Sequence, residues 1–246
     1  MPTTAPELTT RARTHPSRTA FSTDRLLRLA GLSALLAGIC YVLVGLFHPP
    51  NVASSVTTPS WFVVHVLACA MCLFGLFGMA GLYARQALKT GLLGLSGYVL
   101  LSLWLTVIMG FSFVEAFLLP LVAGPAPALI EAWMGMLTGP AGTFDLGVLP
   151  TVWMVTTPAY ILGGLLFGLA TFRARILPRW AGALLAISTA LAPVAGFLLP
   201  NAAQPKIAVP LGLALVWLGY ALWSERGTQE GSLRGRSTMN PDVGAK

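Results

Sequence analysis

The stretch LLGLSGYVLLSLWLTVIMGFSFVEAFLL, Leu92 to Leu119, carries a single charged side chain, Glu115. At a rise of about 1.5 Å per residue, a helix of roughly 20 apolar residues crosses the hydrocarbon core of a bilayer. Hydrocarbon offers no water to the backbone, so such a segment must close its N–H and C=O groups internally, as an α-helix. The run is continuously apolar rather than alternating, which excludes a strand of a membrane β-barrel.

Five further stretches read the same way: Leu26–Phe47, Trp61–Ala84, Gly147–Phe172, Ile176–Leu199 and Ile207–Trp223. The expectation is an all-α, polytopic membrane protein whose six transmembrane helices occupy residues 25–224. Residues 1–24, rich in Thr, Arg and Pro, and residues 225–246 read as disordered tails. The Arg-rich, acid-poor start also fits a transit peptide. The first span is not read as a cleaved signal. Its apolar core, Leu29 to Phe47, exceeds the roughly 7–15 residues of a signal, and no small-x-small site follows promptly. Composition agrees: 56% of residues are apolar and 9% charged, against about 25% charged in an ordinary soluble domain. A soluble enzyme, a nucleic-acid-binding domain and a disordered protein are all excluded.

The placement of charge predicts the orientation. Arg11, Arg13, Arg18, Arg25, Arg28, Arg85, Lys89, Arg173, Arg175, Arg179, Arg226, Arg234, Arg236 and Lys246 fall on one side of the six spans. Lys206 alone falls on the other, with Glu115, Glu131 and Asp145. By the positive-inside rule both termini are cytoplasmic. The formal net charge of +7 is then a topology label with some attraction for anionic headgroups, and the expected partner is the lipid bilayer, not nucleic acid. Arg far outnumbers Lys, and Ala, Leu and Gly dominate, which points to a GC-rich genome and the plasma (inner) membrane of a bacterium.

Two stretches repeat. Leu76–Arg85 (LFGMAGLYAR) and Leu166–Arg175 (LFGLATFRAR) match at six positions, and both leave a span for a basic loop. Arg28-Leu29-Ala30-Gly31 parallels Arg179-Trp180-Ala181-Gly182, with Gly45 and Gly196, then Pro49 and Pro200, at equal distances beyond. A duplicated helical hairpin explains these matches, as does chance likeness among apolar helices. Gly164-x-x-x-Gly168 and the glycines Gly75, Gly78 and Gly81 offer smooth faces for close packing within the bundle or in a homo-oligomer. Pro158, Pro193 and Pro210 fall inside spans and predict kinks. The run Arg175-Ile-Leu-Pro-Arg-Trp-Ala-Gly182, with the Gly-rich helix before it, resembles the second half of a family of six-helix bacterial membrane proteins of unknown function. The resemblance covers about fifty residues and implies no activity.

Ionisable residues inside apolar spans are the default functional candidates, because each is costly unless paired or wet. His65 and Glu115 lie about one turn inside the outer boundary, and His48 sits at the outer end of the first span. With Ser112, one turn before Glu115, and Tyr160 near the same level, they form a candidate outward-facing polar pocket. The loop from Pro120 to Leu146 contains a short amphipathic helix, Ala128–Leu137, whose Leu129, Ile130, Trp133 and Leu137 share a face. It is expected to lie in the outer interface and to cap that pocket. A histidine or glutamate so near the boundary can also simply snorkel to water.

Cys69-Ala70-Met71-Cys72 is a C-x-x-C, and His65 shares its helix face. The pattern resembles membrane thiol oxidoreductases that pass electrons to a quinone, so Cys69 and Cys72 are candidate redox residues. Such enzymes also use a second cysteine pair in an outer loop, where this chain has no cysteine, and a thiolate near mid-bilayer is desolvated and a poor nucleophile. The HExxH pattern of a zinc site is absent, His48 before Pro49 is a poor haem ligand, and no span holds a lysine for a Schiff base. Neither a metal nor a cofactor is implied, and no catalytic constellation is recognisable. The expected activity is to bind or transport a small or lipidic molecule through the outward pocket. A thiol oxidoreductase and a structural or accessory membrane subunit are the alternatives.

Overall fold

The structure is a computed structural model that describes residues 23–139, 142–198 and 201–225. The predicted tails, apart from Thr23, Asp24 and Glu225, and Pro200 of the repeat lie outside these residues. The described chain is helical, with no strand: α1 (Thr23–Phe47), a 3₁₀ turn (Ala53–Ser55), α2 (Pro59–Phe113), a π-helical turn (Val114–Leu118) and α3 (Leu119–Val122). Then follow α4 (Pro127–Thr138), α5 (Leu149–Ala174), α6 (Arg179–Leu198), a 3₁₀ segment (Asn201–Ala208) and α7 (Val209–Ser224). Four helical stretches are long and apolar enough to cross a membrane: Thr23–Phe47, Pro59–Val122, Leu149–Ala174 and Pro205–Ser224.

The longest of these, Pro59–Val122, is not straight. End to end, residues 61 and 115 of a straight helix would stand about 80 Å apart. Here the Trp61 indole donates to the Glu115 carbonyl at 2.8 Å, and Gly75 faces the Leu105 side chain. The chain therefore folds back on itself at Gly91, whose φ of 54° and ψ of −145° break the helix and suit glycine. The two limbs lie antiparallel, and they contain the two stretches Trp61–Ala84 and Leu92–Leu119.

The small residues draw the helices together. A Cβ on Gly78 would fall 2.6 Å from the Ala34 backbone, one on Gly38 2.5 Å from the Gly212 carbonyl, and one on Gly97 2.4 Å from the Phe167 nitrogen. Gly168 faces Gly182 and Ala186 in the same way. These approaches join α7 to α1, α1 to the first limb of α2, the second limb to α5, and α5 to α6, each pair antiparallel. The smooth faces of Gly78, Gly164 and Gly168 are thus spent within the chain. The two matched pairs stand in opposite chain order, α1 before its partner and α6 after, so a copied hairpin would need a rearranged connection.

Three local expectations change. Pro210 lies in the first turn of α7 rather than inside a helix, where its missing N–H costs nothing. Residues before a proline are held out of the helical region, so α6 begins at Arg179 after Pro178 and not at Ile176. The short helix α4 does not leave its apolar stripe free for lipid: Ile130, Trp133 and Met134 are buried against Val56, Trp61, Phe111 and Leu119. The outward surface of the bundle carries exposed Phe62, Phe77, Leu103, Phe113, Leu191 and Trp217, the kind of surface a bilayer would cover.

Candidate functional site

One end of the bundle brings His65, Glu115 and His48 together. Thr58 caps α2 by accepting from the Trp61 N–H, which starts the helix so that Trp61 and His65 share a face one turn apart. His65 Nδ1 donates to the Trp61 carbonyl at 2.7 Å, since a carbonyl can only accept. That fixes the ring and aims Nε2 at Glu115 Oε2, 3.2 Å away. The other carboxylate oxygen, Oε1, accepts from the Trp133 indole N–H of α4 at 3.1 Å.

The π turn explains why Glu115 presents its backbone as well. The Leu119 N–H donates to the Val114 carbonyl, five residues back, and the next residue, Pro120, has no N–H. The Glu115 carbonyl is left without its helical donor, and the Trp61 indole supplies one at 2.8 Å. Trp61, Trp133 and His65 are nearly or wholly buried, and the Glu115 side chain is 10% exposed.

His48 joins from the segment after α1. Its ring stands edge-on to His65 with centroids 5.0 Å apart, and Nδ1 donates to its neighbour Pro49's carbonyl at 2.6 Å. Burial, and then the proximity of His65, push its pKa below the usual imidazole value, against the opposing pull of the Pro49 carbonyl and Glu115.

Of the predicted site residues, His48, His65 and Glu115 therefore meet, and Ser112 is buried one turn before Glu115. They make a packed polar cluster in which His65, Ser112 and Glu115 are buried and His48 is half-buried. Tyr160 goes elsewhere: its ring lies 4.8 Å from that of Trp104 and lines a cavity of about 330 Å³ with Tyr41, Trp153 and Thr156. Trp153 and Thr157 also wall a larger cavity of about 800 Å³, bounded on its other side by Ala132, Gly135 and Met136 of α4. The larger cavity and the His65–Glu115 pair thus meet different residues of α4, Ala132, Gly135 and Met136 on one and Trp133 on the other.

Cys40, Cys69 and Cys72 are free thiols. Cys72 is fully buried in the apolar core beside Met71 and Met79, and Cys69 Sγ points to the Met109 carbonyl at 3.9 Å. Among the described residues no three of His, Cys, Asp and Glu are arranged to hold a metal ion. The sequence reading missed Trp61 and the cavity-lining Tyr41, Trp104 and Trp153, and took Trp133 for an interfacial residue. The signal for Trp61 was its place one turn before His65. No family, curated protein or solved structure matches the chain.

Proposed function

We propose that the chain is a six-span plasma-membrane protein, both termini cytoplasmic, that binds or moves a small or lipidic molecule through the cavities beside α4. The fold-back at Gly91 turns one long apolar helix into two spans, and α6 supplies a further one. Arg28 donates to the Trp223 carbonyl, Arg85 pairs with Glu225, and Gln86 bonds Thr171, which gathers the basic residues at one end of the bundle. Lys206 and the His65–Glu115 cluster belong to the other end, and α4 sits there at the outer interface.

The observation that carries the functional reading is the pair of cavities sharing Trp153 and Thr157 as walls. The larger is of ligand size, apolar in most of its lining, and provided with a few polar groups at Thr143, Asp145 and Thr157. A single-chain amphiphile, with its head near Asp145 and its tail toward the aromatic inner cavity, matches that arrangement. Photolabelling tests it. The purified chain in lipid nanodiscs is exposed to a fatty alcohol bearing a diazirine. Labels are expected in residues 127–139 and 149–158, and Thr157→Trp, which puts bulk into both cavities, should remove them. Labelling confined to the outward faces around Leu162 and Leu191, unchanged by Thr157→Trp, would refute the reading.

A further inference from the structure

We propose that the turn joining α5 to α6 binds one anionic phospholipid, its phosphate held by Arg173, Arg175 and Arg179 and an acyl chain laid along α6 from Trp180. The site lies at the basic end of the bundle, the whole length of α5 away from the cavities' outer end, roughly 40 Å for 26 residues. It rests on the membrane placement proposed above and not on the cavities.

The chain builds this turn tightly. α5 ends at Ala174, and Arg175 takes the left-handed conformation, φ 54° and ψ 26°, a place that glycine usually fills. Among the described residues it is the one non-glycine with positive φ. Its N–H still reaches the Thr171 carbonyl at 3.3 Å, and α6 begins four residues later at Arg179. The two helices touch at once: a Cβ on Gly182 would fall 3.0 Å from the Phe172 nitrogen. Arg173 near the end of α5 and Arg179 at the start of α6 therefore stand at one level, with Arg175 in the turn between them.

Arg179 is already posed. Its guanidinium carbon stands 5.0 Å from the Phe172 ring centroid and 4.8 Å from that of Trp180, the two rings set edge to face at 5.7 Å. The ring faces attract the cation and restrict a side chain that would otherwise lose much freedom on binding. They supply no oxygen, and the buried Nε has no hydrogen-bond partner. None of the three guanidinium groups has an ion pair or hydrogen bond among the described residues. At the same end of the bundle, by contrast, Arg28 donates to the Trp223 carbonyl and Arg85 pairs with Glu225. A cation suits the carbonyl end of α5, which accounts for Arg173 alone. Three cations this close repel one another unless an anion lies among them, and a phosphate presents the oxygens that planar guanidinium donors fit.

The surface beyond Trp180 selects a lipid over a free anion. Trp180, Leu184, Ile187 and Leu191 recur at helical spacing and form one stripe. Trp180, Ile187 and Leu191 are each more than half exposed, and Leu184 is half-buried. The stripe is about 16 Å long, close to the ~15 Å hydrocarbon depth of one leaflet, with a tryptophan at the head-group level where that ring is favoured. A zwitterionic lipid carries its own cation beside the phosphate and cancels most of the attraction; an anionic lipid does not.

Lipid retention tests the proposal. The full-length protein in mild detergent is titrated with dioleoylphosphatidylglycerol or dioleoylphosphatidylcholine, and bound lipid is counted by native mass spectrometry. The first phosphatidylglycerol is expected to bind on the order of tenfold more tightly than phosphatidylcholine. Arg179→Gln should weaken it about fivefold, and Arg173→Gln, Arg175→Gln and Arg179→Gln together should erase the preference. Arg11→Gln, Arg13→Gln and Arg18→Gln together, the same loss of charge in the N-terminal segment, should leave it unchanged. Inorganic phosphate at the lipid's concentration should displace nothing. Equal retention of the two lipids, or equal losses from the N-terminal and the turn variants, would overturn the proposal. So would displacement by inorganic phosphate, which would show an anion site with no use for the acyl chain. Where the triple turn variant fails to insert, Arg179→Gln decides, and undiminished retention in that protein overturns the proposal. The photolabel judges the cavities at the other end, so either reading can fail without the other.

Discussion

The polar cluster under α4 and the cavities beside that helix are opposite solutions to the same problem, the presence of polar atoms in an apolar bundle. In the cluster every polar group of His65 and Glu115 that faces the protein has a partner, and space is filled by the rings of Trp61 and Trp133. In the cavities space is left open, and the polar groups are hydroxyls and one exposed carboxylate. The cluster is consequently intolerant of losing one member, since each loss strands its partners. The polar groups of the cavity walls pair locally, Asp145 with the Gly147 N–H and Thr156 with the Val152 carbonyl, so a change there should alter binding more than stability. The ends of α4 belong to neither region; its middle belongs to both.

The sharpest way to break this contrast is to remove the carboxylate. Glu115→Leu leaves His65 Nε2 without a partner and Trp133 Nε1 without an acceptor, both buried, and each stranded polar group costs about 1–3 kcal/mol. Glu115→Gln keeps an acceptor for Trp133 and a donor for His65, and should lose less than about 1 kcal/mol. Reversible unfolding in mixed micelles measures both. If Leu and Gln prove equally harmful, the cluster is not held by its hydrogen bonds and the contrast with the cavities fails.

Trp133→Phe is the next in size. The ring contact with Phe111, at 5.4 Å between centroids, survives, and the hydrogen bond to the carboxylate goes, for about 1.5–3 kcal/mol. A smaller effect comes from His48. Burial and His65 lower its pKa in the folded state, so between that value and the ordinary imidazole value of about 6.5 the unfolded chain binds more protons. Its contribution to stability is present above that ordinary value and is lost as pH falls toward the folded one. His48→Gln should therefore shallow the decline in stability between about pH 7 and pH 5. An unchanged slope would place the acid sensitivity elsewhere in the cluster.

How much of this could be read from residues alone differs between the two regions for the same physical reason. A histidine and a glutamate within apolar runs stand out because each carries a large desolvation cost, so His65, Glu115 and His48 were visible, and their equal depth suggested that they meet. Sequence could not show that they meet closed. That depends on Pro120 withholding an N–H, on the π turn this accompanies, and on α4 returning to place Trp133 over the carboxylate. The cavities are lined by Trp153, Thr157, Met136 and Gly135, residues ordinary in any membrane-like helix, and an empty volume is a property of distances between helices that no single run encodes. Tyr160 shows the consequence: at the expected depth, it faces Trp104 rather than the histidines. The fold was legible where composition decides it, in the long apolar helices. It was less so at α6, where Pro178 delays the start by three residues.

The smallest effect on stability belongs to the cavity side, and it completes the contrast. Thr157 is exposed and no contact in the bundle depends on its hydroxyl, so Thr157→Trp should shift stability by no more than about 0.5 kcal/mol in either direction. The same indole occupies volume that both cavities share. Binding of the diazirine alcohol should then fall at least tenfold while unfolding is unchanged, the reverse of Glu115→Gln, which should leave both nearly intact at neutral pH. A Thr157→Trp protein that unfolds more easily would mean that the cavity is a collapsible gap in packing. One that keeps its fold and loses its label would mean that the space is maintained by the rest of the bundle, as a ligand site requires.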